Sequence, residues 1–367
     1  MIRVLIVDDS VVVRRMLSDA LTGDPRISVV GTAPTGAIAL QKLRERTPDV
    51  VILDVEMPEM DGIETVRRLR LDHPKLPVIM CSSLTERGAE VTLRALSAGA
   101  TDYVTKPVAT TARHEGLTAF TNELLTRVLL LGGESTLGVS LSAPAPGGPS
   151  LAPQSRRVPA GRVAAIGIGS STGGPNALAK LFACFPPDLP VPILIVQHMP
   201  PVFTRMLADS LTASSGVSVH EAVHGGPVEP GHAYVAPGDF HMVLTRQGTQ
   251  VVTLLNQEAR ENSCRPAVDV LFRSLASVYG NGVLGCVLTG MGSDGARGAR
   301  DIVAAGGTLL VQSTDSCVVS SMPANVARAG CAELALPPER LGDELVARVH
   351  RSFGENSRTS RSAGTGV

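Results

Sequence analysis

No block of lysine and arginine interrupts this 367-residue chain, whose 33 basic and 34 acidic residues leave a formal net charge of -1. A protein whose main partner is nucleic acid carries a basic face or stripe, so that class is set aside. No run approaches the roughly 18 apolar residues of a membrane span. The apolar start is broken at once by Asp8-Asp9, so it is not read as a signal peptide. Six cysteines, at 81, 184, 264, 286, 317 and 331, include no C-x-x-C pair. Neither a disulfide frame nor a zinc site is expected of them; they read as small buried hydrophobes in a reducing compartment. These absences leave a soluble cytoplasmic protein with no membrane insertion and no nucleic-acid partner.

What is present fills more than one core. At 44% hydrophobic residues the chain supplies two ordinary domains. Residues 1–131 alternate between short apolar runs (2–7, 27–33, 49–53, 77–81, 102–105) and helical patterns such as Val13, Met16/Leu17, Ala20/Leu21. Near-continuous apolar strands between helices predict a doubly wound, five-stranded parallel sheet. Residues 132–160 turn to Pro, Gly, Ser and Ala and read as a semi-extended linker. Alternation resumes over 161–353, with strands expected near 163–169, 191–197, 217–223, 233–236, 250–255, 283–288 and 308–311. A second α/β domain, mostly parallel and Rossmann-like, is expected there, followed by a disordered tail, 354–367.

In the first domain Asp8, Asp9, Asp54, Ser82 and Lys106 all fall at or just after strand ends. A parallel sheet opens those ends on one edge, so the five converge. Three crowded carboxylates repel and raise one another's pKa unless a divalent cation joins them, and an oxygen-only set selects a hard ion such as Mg²⁺. Asp54 is then the acceptor of a phosphoryl group, with Lys106 beside it. Singly, each residue reads as a loop cap or surface charge; jointly they read as a site. Val7-Asp8-Asp9-Ser10, Asp54-Val-Glu-Met-Pro-Glu-Met-Asp-Gly62, Cys81-Ser-Ser83 and Lys106-Pro107 resemble the response-regulator receiver family over 1–131. The resemblance implies Asp54 as phosphoacceptor and Mg²⁺ between Asp9, Asp54 and the Glu56 carbonyl, with Asp8 nearby. It also implies a switch hydroxyl at Ser82, a switch aromatic at Tyr103, and a histidine kinase as donor.

In the second domain the apolar run 163–169 feeds Ser170-Ser171-Thr172-Gly173-Gly174-Pro175 and then a helix-compatible stretch. A hydroxyl at a strand-to-helix turn, beside the N–H groups of a helix start, suits a serine nucleophile. His198 follows the strand 193–197, and Asp294 lies in a Gly-rich turn after the strand 283–288. Ser171, His198 and Asp294 are expected at one rim as nucleophile, base and orienting acid, with no cofactor for the reaction. Each has a plainer alternative: His198 as a structural hydrogen-bonder, Asp294 as turn former or helix N-cap. His220, His224, His232 or His241 with Asp239 or Asp269 remain rival pairs. Gly167-x-Gly169-x-x-x-Gly173 is a rival dinucleotide loop, with the wrong spacing and with Asp188 in a proline-rich loop in place of a strand-end acid.

The stretches 166–174, 197–205, 230–239, 265–272, 288–295 and 317–323 resemble the catalytic domain of the chemotaxis protein-glutamate methylesterases. That resemblance implies hydrolysis of glutamate γ-methyl esters on methyl-accepting chemoreceptors, and deamidation of certain glutamines. It assigns Ser171, His198 and Asp294 to the triad and the oxyanion contacts to the backbones near Thr172 and Met291. Ser170 departs from the family's small apolar residue, so two adjacent hydroxyls compete. A phosphorylation-gated esterase is expected, its unphosphorylated receiver packing intramolecularly over the Ser171 rim. The alternatives are a phosphorylation-dependent adaptor without catalysis and a DNA-binding regulator, for which 162–353 shows no basic helix-turn-helix.

Overall fold

A computed structural model describes residues 1–106, 113–137 and 161–359. The chain divides into two compact units, Met1–Ser150 and Leu151–Val367. In the first, strands β1 (Ile2–Val7), β2 (Ile27–Ala33), β3 (Val50–Asp54), β4 (Val78–Ser83) and β5 (Asp102–Lys106) form one sheet in the order β2-β1-β3-β4-β5. All its pairings are parallel, as the apolar runs predict. Helices α1 (Val11–Thr22), α2 (Gly36–Glu45), α3 (Gly62–Asp72) and α4 (Glu86–Ser97) connect them. Each of these four starts on a residue whose side chain accepts from its own first turn: Ser10, Thr35, Asp61 and Thr85. Helix α5 (Arg113–Leu137) runs six residues past the expected domain end at 131, so the linker does not begin at 132. Gly132 is why: a Cβ there would stand 2.3 Å from Ile2 Cγ2, so the helix still packs on β1 at that point. The rest of the predicted linker, 138–160, lies outside the described residues.

The second unit holds a seven-stranded sheet in the order β14-β13-β12-β6-β7-β9-β8. Its strands are β6 (Ala165–Ser170), β7 (Ile193–Gln197), β8 (Ser218–Glu221), β9 (His232–Val235), β12 (Val283–Val287), β13 (Thr308–Gln312) and β14 (Ala332–Leu336). Every pairing in it is parallel. The strand expected near 250–255 belongs elsewhere. It is β11 (Gln250–Asn256), paired antiparallel with β10 (His241–Gln247) as a separate hairpin. β10 and β14 lie outside the expected strands; β14 is a half-exposed edge strand without an apolar run. Helices α6 (Gly174–Phe182), α7 (Phe203–Ser215), α8 (Val268–Tyr279), α9 (Ala296–Ala304), α10 (Ser321–Arg328) and α11 (Pro338–Thr359) complete the unit. Helix α11 enters the predicted tail, so 354–359 are helical and only 360–367 lie outside the described residues.

From β6 the chain winds one way through β7 and returns later to the other side through β12. A crevice therefore opens above β6 at the carboxyl ends of the strands, the place where open parallel sheets build their sites. Helix α8 lies directly on β6. A Cβ on Gly167 would meet Leu275 Cδ1 at 2.4 Å, and one on Gly169 would meet Val268 Cγ1 at 2.4 Å. These glycines admit a helix, which accounts for them without a dinucleotide. Asp188 is exposed in a turn after α6, away from any strand end.

Candidate active site and acidic pocket

The crevice is assembled from three neighbouring strands. In the β6–β7 register Ser170 pairs with Gln197, so Ser171 and His198 are the next residues out of the sheet on adjacent strands. The main chains lock there: His198 N donates to Ser170 O at 3.1 Å, and Ser171 N to Thr289 O at 3.0 Å. Gln197, the last residue of β7, ties the turn together. Its Nε2 donates to the carbonyls of Ser171 (3.0 Å) and His198 (3.3 Å).

The two competing hydroxyls separate cleanly. Ser170 is 0% exposed, and its Oγ donates to Gln197 Oε1 at 2.7 Å. It is committed to the interior. Ser171 is half-buried and stands at the start of the turn into α6. Gly173, at φ +75°, makes that turn; only glycine takes this conformation without cost, and a Cβ would stand 2.6 Å from Val318 Cγ2.

His198 Nε2 lies 2.8 Å from Asp294 Oδ2. With Nε2 donating to a carboxylate, Nδ1 carries the lone pair whenever the ring is neutral. Nδ1 lies 3.5 Å from Cys264 Sγ, and among the described residues no hydrogen bond joins it to the Ser171 hydroxyl. Burial pushes the imidazole toward its neutral form. The Asp294 hydrogen bond outweighs that, aided by Cys264, and raises the pKa to about 10.

Asp294 is 1% exposed and richly served. Besides His198, its oxygens accept from Val268 N (2.7 Å), Asp269 N (3.0 Å), Gly295 N (3.0 Å) and Asn262 Nδ2 (2.9 Å). Val268 and Asp269 open α8, which has no side-chain cap from its own N-cap residue, Ala267. Asp294 is thus a helix cap supplied from a distant turn, and the cap and the histidine partner are one residue. Burial raises its pKa, but the His198 bond and charge and the α8 N–H groups prevail and hold it below the usual carboxylate range.

Two contributors escaped sequence analysis. Asn262 Nδ2 bridges Asp294 Oδ1 and Asp269 Oδ2, each at 2.9 Å. Cys264, read as a buried hydrophobe, is half-buried against His198. Cys184 and Cys317 are also only half-buried, so that expectation holds for Cys81, Cys286 and Cys331 alone. Asn262 and Ser263 both sit at left-handed φ (51° and 64°), costing about 1–3 kcal/mol each. No local pattern announces such a loop. Arg265 anchors it to the 237–240 turn, its guanidinium donating to Asp239 Oδ1 at 2.7 Å.

The rival pairs do not assemble. His220 and His232 stack on each other (Nε2 to Nδ1 3.1 Å), His224 bonds Leu255 O, and His241 Nε2 bonds Ala259 O. Asp269 caps α9 through Gly298 N at 2.7 Å. Of the backbones expected to line an oxyanion site, Thr172 is buried, its carbonyl accepting from Thr289 Oγ1 at 3.0 Å. Met291 is exposed in the Gly290–Gly295 turn.

In the first unit Asp8, Asp9 and Asp54 bring carboxylate oxygens within 4.8 Å of one another. Lys106 Nζ reaches Asp8 Oδ2 and Asp54 Oδ1, both at 2.9 Å. Burial lifts the Asp54 pKa to about 6, Lys106 opposing and Asp8 reinforcing. An all-oxygen trio with a surplus of negative charge fits a hard dication. Ser82 is buried beside this edge with its Oγ donating to Gly88 O at 3.0 Å. Tyr103, within β5, is buried, and burial holds its hydroxyl well above the usual range. The Glu56 side chain pairs outward with Arg87. Among the described residues no helix is long and apolar enough to cross a membrane.

Comparison with known proteins finds a family for each unit. Residues 166–345 match the CheB methylesterase family and residues 4–117 the response regulator receiver domain. A protein-glutamate methylesterase/protein-glutamine glutaminase of Nocardioides is 48% identical, covering 95% of this chain and 96% of its own. One from Trichodesmium erythraeum is 45% identical over 95% and 99%. The catalytic domain of the Thermotoga maritima CheB methylesterase superposes with a TM-score of 0.50 at 40% identity, covering 51% of this chain and 98% of that one. With nearly half the residues shared along almost its whole length, the chain belongs to the family of receiver-linked protein-glutamate methylesterase/protein-glutamine glutaminases.

Proposed function

We propose that the second unit hydrolyses γ-methyl esters of glutamate side chains on chemoreceptors, and deamidates particular glutamines, under control of phosphorylation at Asp54. The observation that carries this is the 2.8 Å bond from His198 Nε2 to Asp294, which leaves the other ring nitrogen as the base beside the strand end that bears Ser171. Ser171 Oγ attacks the ester carbonyl carbon as His198 Nδ1 takes its proton. The oxyanion collapses, methanol leaves with the proton from His198, and an acyl-serine remains. Water then attacks that acyl group as His198 takes one of its protons; His198 returns that proton to Ser171 Oγ, which departs from the restored glutamate. With a glutamine substrate ammonia leaves in place of methanol. Asp294 stays ionised and stabilises the imidazolium. The backbones at Thr172 and Met291 are the proposed donors to the oxyanion. The Ser171–His198 hydrogen bond forms in the substrate complex, where such contacts tighten.

In the receiver, Asp9 and Asp54 with the Glu56 carbonyl, and with Asp8 nearby, would hold Mg²⁺, which would offset negative charge around the transferring phosphoryl group. The protein works in the cytoplasm, where Asp54 accepts the phosphoryl group from a histidine kinase and Lys106 neutralises the acyl phosphate. Ser82 and Tyr103 respond to it, biasing a two-state equilibrium of the whole protein toward the active form. The proposed domain limits are 1–131 for the receiver and 161–353 for the esterase, α5 extending the former. The test is methanol release from methylated receptor by the full chain, with and without a small phosphodonor. Release that rises with phosphodonor in wild type, stays low in Asp54→Asn and disappears in Ser171→Ala supports the reading. Near-wild-type release from Ser171→Ala refutes it.

A further inference from the structure

We infer that His198 and Cys264 form a binding site for a borderline-soft divalent cation, zinc foremost, and that filling this site switches the esterase off. The inhibition rests on the proposed role of His198; the binding does not. A tetrahedral zinc takes imidazole nitrogen at about 2.0–2.1 Å and thiolate at about 2.3 Å, which sets the two donor atoms about 3.5 Å apart. His198 Nδ1 and Cys264 Sγ are 3.5 Å apart. They already stand at the spacing of two ligands of one ion.

The rest of the cluster suits that use. His198 donates through Nε2 to Asp294, so in the neutral ring the lone pair faces the thiol. A carboxylate on the far nitrogen is how metal-bound histidines are oriented and made more basic. Asp294 is itself immobilised by the N–H groups of Val268, Asp269 and Gly295. Donor atoms of His198, Cys264 and Asp294 lie within 4.8 Å of one another. The His198 side chain keeps 12% exposure and Cys264 is half-buried, so an ion reaches both from solvent and completes its shell with water.

Binding exchanges a proton for a metal. The thiol gives up its proton, and the imidazole, where protonated, gives up the one on Nδ1; both pass to solvent as S–M–N forms, no electron moves, and affinity grows with pH. The consequence follows from the lone pair. Once Nδ1 is bonded to a metal it has nothing with which to take the Ser171 proton. The ion is an inhibitor, in keeping with a reaction that needs no cofactor. Donor softness keeps it apart from the cation of the acidic pocket, where only oxygens are offered.

The experiment uses the full-length protein with excess Mg²⁺ to occupy the receiver pocket. Co²⁺ is titrated as a spectroscopic stand-in, and Zn²⁺ by competition with a chromophoric chelator. One equivalent of Co²⁺ should produce a thiolate-to-cobalt charge-transfer band. That band should vanish in Cys264→Ala and in the nearly isosteric Cys264→Ser, both checked for folding by thermal melting. Zinc affinity should fall more than about 10-fold in both, and about 10–100-fold in Asp294→Asn. Methanol release by wild type should stop at one equivalent of zinc and return with chelator. Whatever turnover Cys264→Ala retains should persist at that zinc concentration. Absence of the band in wild type, or its survival in both Cys264 variants, overturns the site. So does zinc binding without the band that is lost in His232→Ala, which would assign the ion to the His220–His232 pair. Zinc bound through Cys264 with turnover undiminished overturns the inhibition and, with it, the role given to His198 Nδ1.

Discussion

Asp54 and Asp294 are both buried at the carboxyl edge of a parallel sheet, and burial drives both toward the protonated form. They end on opposite sides of the ordinary carboxylate range: Asp54 is raised to about 6, and Asp294 is lowered. The difference lies in what each accepts. Asp54 has one backbone N–H, from Val55, and a half share of Lys106, which also serves Asp8. Asp294 has three backbone N–H groups, the Asn262 amide and the imidazole. Hydrogen-bond donors, far more than depth, decide whether a buried carboxyl keeps its charge. The units arrange their helices accordingly. In the first, α1 to α4 are capped by local side chains. In the second, α8 has no such cap, and its open N–H groups hold the remote anion. One unit keeps an acid that is incompletely satisfied, as the proposed phosphoacceptor role requires; the other keeps an anion bonded to a histidine.

Breaking the second arrangement at its reacting end has the largest effect. His198→Ala should lower methanol release on the order of 10⁶-fold, as in a comparable serine triad, in single-turnover assays. Asp294→Asn should cost less, about 10⁴-fold, and should also move the pH profile. The active imidazole is neutral, and Asp294 raises its pKa to about 10, so wild-type turnover should climb with pH through neutrality and beyond. Without the carboxylate, burial is opposed by Cys264 alone and that limb should shift to lower pH. The measurement is kcat/KM against pH in chelator-containing buffer. A limb that stays in place would separate Asp294 from His198 in solution.

Asn262→Ala tests whether donor number is the lever. It leaves Asp294 and Asp269 each one donor short, and should cost about 1–3 kcal/mol in denaturant unfolding. The smallest change is expected in the first unit. Lys106→Met removes the cation that opposes burial, so the Asp54 pKa should rise above about 6, read by carboxyl carbon NMR. Adding Mg²⁺ to wild type should lower it.

Both sheets were legible because buried parallel strands are apolar runs ended by polar turns, and three of the second unit's edge residues were legible from those turns. The geometry that makes them a site was not. His198 meets Asp294 across 96 positions, and Cys264 reaches His198 across 66. Asn262 and Cys264 come from a loop with two left-handed non-glycine residues in a row, a conformation no periodicity signals.

The amino-acid sequence by itself determined the two α/β units, the strand ends that carry Asp54, Ser171 and His198, and the family to which the chain belongs, since short-range alternation and contiguous motifs are local properties. Tertiary structure alone decided that Ser170 turns inward to Gln197 while Ser171 stays at the rim. It also decided that Asp294 caps α8 as it holds His198, and that a cysteine faces the free imidazole nitrogen. These depend on how distant loops pack over the sheet edge, where side-chain direction is set by neighbours in space.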